Sequence, residues 1–185
     1  MAHSGQVIDN PVTGERIEFL RTAADTGGSL LEIELTLDPD GRVPGAHVHP
    51  EQEESFHVLE GEMAFRLGLR TIVARAGDTV TVPAGRVHRF SSAGDVRARA
   101  RVQVRPALDM EDLLTTTAEL AREGEVLHSG MPKPLHLALF VRRFRREVRA
   151  PFPPAPLVHA VMAPLAALAR RRGHDRRYAL QPSPA

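Results

Sequence analysis

The sequence predicts an all-β domain, a sandwich or barrel of short strands, followed by a helical C-terminal extension. Three observations carry this. From "RIEFLRTA" to "RARARVQVRPA", short runs of β-branched and aliphatic residues are broken at close intervals by Gly, Pro, Asp and Asn, the punctuation of a β chain. Within that region apolar residues recur at every second position, as on half-buried strands. After Pro106 the spacing changes to the three-and-four pattern of helices. A length of 185 residues suits one domain with a core and an appendage. The expected division is a β domain over 1–107 and a helical extension over 108–185, packed on that domain or on a partner.

The clearest strand is "SLLEIELTL", where Leu31, Ile33, Leu35 and Leu37 fall on one face and Glu32, Glu34 and Thr36 on the other. "DVRARARVQVR" alternates in the same way, with Val96, Ala98, Ala100, Val102 and Val104 inward and Arg97, Arg99, Arg101, Gln103 and Arg105 outward. If the two strands pair, their outer faces set Glu against Arg. In "LDMEDLLTTTAELAREGE", Leu108, Leu113, Leu114 and Leu120 are spaced for a helix that Gly124 stops. "LHLALFVRRFRREVRA" reads as an amphipathic helix, with Leu137, Val141, Phe144 and Val148 as its apolar stripe and Arg142, Arg145, Arg146 and Arg149 opposite. The Pro-rich "APFPPAP" ends it, and "LVHAVMAPLAALARRRG" follows, with Pro164 expected to kink or restart a helix. The thirteen apolar-rich residues from Leu157 to Ala169 fall short of the roughly 20 that span a bilayer, although they can lie in its interface.

Composition narrows the chemistry. There is no cysteine, which excludes disulfides, thiol catalysis, iron–sulfur clusters and Cys-type zinc sites, so any metal must be held by nitrogen and oxygen. The start of the chain has no basic stretch leading into an apolar run, and a cytoplasmic location is the expectation. Lys133 is the single lysine among twenty-four basic residues, which hints at a GC-rich bacterial source. Charge is unevenly distributed. Residues 1–130 carry thirteen basic and twenty-one acidic groups, about −8, whereas residues 131–185 carry eleven and two, about +9. The basic tail can dock on its own acidic body, on a second subunit or on an anionic surface; self-docking is the first expectation.

The chemistry concentrates in "GRVPGAHVHPEQEESFHVLEG", Gly41 to Gly61. His47 and His49 stand two apart, so on an extended chain they share a face and can share a cation. Glu54 follows a turn containing Pro50, and counting by twos puts Phe56 and Val58 on its inward face while Ser55, His57 and Leu59 point outward. His57 is therefore assigned a surface or structural role, and Glu51, Glu53 and Glu60 turn or surface charge. A second stretch, "AGDTVTVPAGRVHRFSS", carries Gly77 before a strand, a tight turn at Pro83 and Gly85, and His88 at the start of the next strand.

These two stretches resemble the motifs of the cupin superfamily. The first family motif is Gly, five residues, His-x-His, three or four residues, Glu, six residues and Gly, matched by Gly41, His47, His49, Glu54 and Gly61. The second is Gly, five residues, Pro-x-Gly, two residues, His, three residues and Asn, matched by Gly77, Pro83, Gly85 and His88, with Ser92 in place of the Asn. The segments "DNPVTGERIEF", "HPEQEESFHVLEGE" and "GMPKPLHLALFVRRFRREVRAPFPP" are similar to small single-domain bacterial cupins with a helical C-terminal extension. The resemblance implies an all-β cupin barrel, a jelly-roll-like double-stranded β-helix, whose inward His47, His49, Glu54 and His88 bind one divalent metal near the mouth.

Three imidazoles and a carboxylate suit Fe(II), with Mn, Ni, Co or Zn as alternatives. Phe56, Met63, Phe65 and Phe90 are candidates for an apolar pocket beside the metal, and Arg86 for a grip on an anionic group. The expected function is a metal-dependent enzyme of oxygenase or dioxygenase type acting on a small organic molecule, with catalytic residues beyond the ligands unassigned. A metal-dependent isomerase or cyclase is one alternative. A non-catalytic ligand-binding or accessory cupin, whose basic tail contacts a partner or a membrane surface, is another. A homodimer is expected, and specific nucleic-acid binding is not.

Overall fold

The structure, a computed structural model, describes residues 2–178. Within them nine strands form two antiparallel sheets. The larger sheet contains β1 (Val7–Asn10), β2 (Glu15–Arg21), β3 (Leu31–Leu37), β9 (Ala98–Arg105), β4 (Glu53–Glu60) and β7 (Thr79–Val82), in that spatial order. The smaller contains β6 (Arg70–Arg75), β5 (Glu62–Leu67) and β8 (His88–Ser92). β3 alternates buried and half-buried residues along its whole length, because its apolar residues have a period of two. It pairs with β9 in a register that sets Glu34 opposite Arg101 and Glu32 opposite Gln103. Arg99 sits among Glu34, at 3.6 Å, and Glu60, at 2.6 Å. The paired Glu and Arg faces expected from sequence are therefore present. Val96 is different: it precedes β9 and is 63% exposed, because the bend at 94–96 takes it off the strand before the alternation begins.

Phe19, Leu31, Leu37, Phe56, Met63 and Phe65, from both sheets, are fully buried in one core. Turning between the sheets needs a close approach at Gly61, which joins β4 to β5 with φ of +69°; a Cβ there would lie 2.5 Å from the Arg97 carbonyl oxygen. The strands do not close into the expected barrel. β1, β7, β6 and β8 end their sheets, and the segment before β4 crosses between sheets by isolated bridges, Arg42 to Ser91 and His47 to His88. Pro44 and Pro50 lie in that segment, and a proline has no N–H to offer a continuous ladder.

Among the described residues there are four α-helices. α1 (Ala23–Thr26) is one turn closed by a capping box between Thr22 and Asp25. α2 (Met110–Arg122) buries Met110, Leu113, Leu120 and Ala121, and Gly124 with φ of +72° follows its end. Leu108 lies outside it, with φ of +47°. α3 (Pro134–Arg143) stops earlier than the expected amphipathic segment, and residues 144–147 continue as turns. Its buried side is His136, Ala138, Leu139 and Phe140, while Leu137 and Val141 are only half-buried. The rotation arises because α3 is covered by two neighbours. Phe140 and Phe144 enter the sheet core, and Ala138 and Leu139 pack on Ala166 and Ala169 of α4 (Ala155–Arg171), whose helix runs through Pro164. No helix among the described residues is long and apolar enough to cross a membrane.

Basic residues of the tail meet acidic residues of the body. Arg143 pairs with Asp109 at 2.8 Å and Asp112 at 3.1 Å, Arg146 with Glu51 at 2.7 Å, and Arg177 with Glu119 at 3.4 Å and Glu123 at 2.6 Å.

Candidate metal centre

His47 and His49 come from the extended segment before β4, Glu54 from β4 and His88 from the start of β8. Each offers one ligand atom, and these four atoms lie within 4.8 Å of one another. Two local devices bring the sheets together here. His47 and His88 exchange both backbone hydrogen bonds, each at 2.9 Å, and the Gly85 N–H, in a turn with φ of +77°, donates to the His49 carbonyl at 2.8 Å.

All three imidazoles are oriented alike. The Nδ1 of His47 lies 3.0 Å from the Gly45 carbonyl, that of His88 3.0 Å from the Arg86 carbonyl, and that of His49 is hydrogen-bonded to the Glu147 carbonyl. Since a carbonyl only accepts, each Nδ1 carries a proton and each Nε2 faces the cluster, where it would give its lone pair to a bound metal. His88 Nε2 is 2.9 Å from Glu54 Oε2. His49 Nε2 is 3.3 Å from the same oxygen, yet it makes no aligned hydrogen bond and is buried without a partner. A buried orphan nitrogen beside a carboxylate and two more imidazoles is a donor set that fits a cation, and the cluster can hold a metal ion.

The electrostatics differ from ligand to ligand. Burial pushes the His47 imidazolium down to about 4, with His49 and His88 adding to the shift, so this ring is neutral at pH 7. Burial opposes ionisation of Glu54, but the neighbouring His49 and His88 outweigh it and hold the carboxyl well below the usual carboxylate range. For His49, burial works against protonation and is overcome by Glu54, with the Glu147 carbonyl contributing in the same direction, so without a metal this ring is favoured as the imidazolium and a bound cation would take the place of its Nε2 proton.

The other sequence candidates are packed into the core or exposed. Phe56, Phe65 and Phe90 pack ring against ring with centroids 5.0–6.1 Å apart, and Met63 is fully buried, so these residues fill the space between the sheets instead of lining an open pocket. The reason is that both sheets turn these side chains toward each other at core packing distance. Arg86 is exposed and reaches the Leu67 carbonyl at 3.4 Å; its backbone carbonyl, not its guanidinium, serves the centre by holding His88. A groove of about 120 Å³ borders His88, lined by Ala46, Arg66, Gly68, Val87 and Arg89. His57 is exposed, 3.0 Å from Thr79 Oγ1, and Glu51 and Glu60 make surface ion pairs. Ser92 ends β8 and donates its N–H to the Gly41 carbonyl at 2.8 Å. Sequence reasoning missed Glu147, which is 2% exposed. The available signal was its rarity, as one of two acids in a tail with eleven basic residues.

Comparison with known proteins agrees with this geometry. Residues 33–104 match the family model described as the cupin domain. A protein named polyketide synthase CurC, from Streptomyces cyaneus, is 28% identical over 101 residues, 55% of this chain. The chain spans 66% of that relative's length. Among solved structures, KdgF from Halomonas sp. is similar with a TM-score of 0.50 at 15% identity, covering 57% of this chain and 92% of that one. A predicted oxalate decarboxylase from Thermotoga maritima is similar with a TM-score of 0.50 at 20% identity, covering 56% and 92%. These two likenesses speak for the fold alone. Residues 33–104, which carry both motifs on two antiparallel sheets, thus match a cupin domain, and C-terminal helices follow them.

Proposed function

We propose that the protein is a metal-dependent enzyme of oxygenase or dioxygenase type that acts on a small organic molecule, with Fe(II) held by His47, His49, Glu54 and His88. The observation that supports it is the common orientation of the three imidazoles, each committed through Nδ1 to a carbonyl and turning Nε2 into the cluster, around one ionised, buried carboxylate. A divalent ion bound there supplies Lewis acidity and, as iron, a redox centre open to dioxygen. The chain's part is to keep Glu54 ionised and His47 neutral, to fix the directions of the donors, and to bury three of the four ligands away from bulk water.

The name of the Streptomyces relative turns the choice of substrates toward polyketide-like β-dicarbonyl and phenolic compounds. Metal analysis of the purified protein, followed by oxygen uptake with β-diketones, catechols and thiols, tests the reading. Bound iron and Fe(II)-dependent uptake support it. No iron and no turnover with added Fe(II) overturn it, and conversion without oxygen uptake replaces it with the isomerase or cyclase alternative.

A second reading, an accessory cupin that meets an anionic membrane surface, rests on α4. Leu157, Val161 and Leu168 form one exposed face of that helix, and Phe152 before it is 80% exposed. Residues 148–174 contain no acid, while Arg170, Arg171 and Arg172 gather at the helix end. Sedimentation with phosphatidylserine vesicles, lost on L157S/V161S, is the expected outcome of this reading; no sedimentation sinks it. A homodimer and a cytoplasmic location complete the proposal, the first to be checked by light scattering and the second by fractionation.

A further inference from the structure

Two of the three imidazoles are oriented by carbonyls two residues earlier in their own turns, Gly45 for His47 and Arg86 for His88. The third depends on a residue ninety-eight positions away, because His49 Nδ1 is held by the carbonyl of Glu147, in the turns that follow α3. That carbonyl is itself fixed by four contacts. Val48 and Arg149 exchange both backbone hydrogen bonds, each at 2.9 Å. Arg146 closes on Glu51 through Nε and Nη2, the shortest contact being 2.7 Å. The Glu147 carboxylate, 2% exposed, accepts from the Asp109 N–H at 3.3 Å. Val148 N–H returns to the Phe144 carbonyl at 2.9 Å, anchoring the turn on a ring buried in the sheet core. Every residue from 146 to 149 is thus tied to the His49 loop, to the head of α2 or to the core.

We propose that residues 146–149 are a positioning strap of the metal centre: the Glu147 carbonyl fixes the tautomer and direction of His49, and the Val48–Arg149 bridge and the Arg146–Glu51 pair hold that carbonyl in place. The proposal rests on the metal reading above for its functional meaning. Outer partners that orient metal-binding histidines typically change affinity by about 10- to 100-fold when lost. Because binding free energies are reciprocal, the same coupling makes a bound ion hold the strap against the body. In this chain the helical extension is then more than a cover for the sheet, since one of the four ligands takes its orientation from it.

The test uses the full-length protein and two independent disruptions. R149P removes the N–H that donates to the Val48 carbonyl. R146E repels Glu51, and the exchanged pair E51R/R146E restores the attraction. The readouts are the His49 tautomer in the metal-free protein, from ¹⁵N long-range NMR across a pH series that extends to the neutral ring, and Co(II) affinity by calorimetry, with folding verified by circular dichroism.

Expected are an Nδ1–H tautomer for His49 in the unmodified protein, loss of that single tautomer in R149P with about 10-fold weaker Co(II) binding, and a smaller loss in R146E that the exchanged pair recovers. Co(II) should also slow tryptic cleavage after Arg145, Arg146 and Arg149. Unchanged tautomer and unchanged Co(II) affinity in folded R149P, or in R146E should R149P not fold, overturn the strap. If the unmodified protein has the Nδ1–H tautomer but binds no Co(II), the metal reading fails while the positioning of His49 by Glu147 stands.

Discussion

Glu15 illustrates how one buried group sets a pH dependence. It stands at the start of β2, accepts the hydroxyl hydrogen bond of Thr13, and burial pushes its carboxyl up to about 7, with that hydrogen bond acting in the opposite direction. The folded state therefore binds a proton that the unfolded chain releases near the ordinary value of 4.5. The stability this group contributes is complete below about pH 4.5 and is lost as the pH rises through about 7. E15Q removes the buried charge. It should melt at the same temperature as the unmodified protein at pH 4 and higher at pH 8, by about 2–4 °C per kcal/mol relieved; calorimetry at the two pH values decides, and a lower melting temperature at pH 8 contradicts the argument. At this scale the resemblance of two motifs to those of cupins named His47, His49, Glu54 and His88, whereas Glu147 was invisible because its role is played by a backbone carbonyl, which every residue type possesses.

Among the elements, β3 and β9 were the most legible, since a period of two is a local property that survives whatever the strands pack against. Leu35 shows what that alternation is worth. It is buried on β3, opposite Ile17 of β2 and Ala100 of β9. L35A should cost about 2–5 kcal/mol, read as a drop in the urea midpoint with an unchanged slope. The outer face matters less. Arg99, between Glu34 and Glu60, is partly solvated, and exposed pairs of this kind contribute about 0–1 kcal/mol. Helix α3 was misread in phase because a helix covered on two sides has no single apolar stripe. His136 and Ala138 are buried by α4 and its neighbours, which the pattern of Leu137, Val141 and Phe144 could not reveal.

For the whole molecule, the candidate centre joins both sheets and the extension, so an ion bound there should stabilise all three together. Zn(II) or Co(II) at about 100 times its dissociation constant should add about 2.7 kcal/mol to the unfolding free energy. The rise should vanish on chelation and be absent in E54Q, which removes the anionic ligand; a melting temperature indifferent to metal in the unmodified protein contradicts the centre.

The sequence by itself determined the β-then-helix order, the main strand alternations and the absence of thiolate ligands, because periodicity and composition are read directly along the chain, and the resemblance of its two motifs to those of cupins named the four residues that meet. The opposite charges of body and tail were also written there, and they meet within the chain as Arg143 with Asp109 and Arg146 with Glu51. Only the tertiary structure decided that the sheets stay open, that Phe56, Phe65 and Phe90 fill the core, and that Glu147 reaches His49. Those outcomes depend on which distant surfaces come into contact, and no local pattern along the chain encodes a contact between residues ninety-eight positions apart.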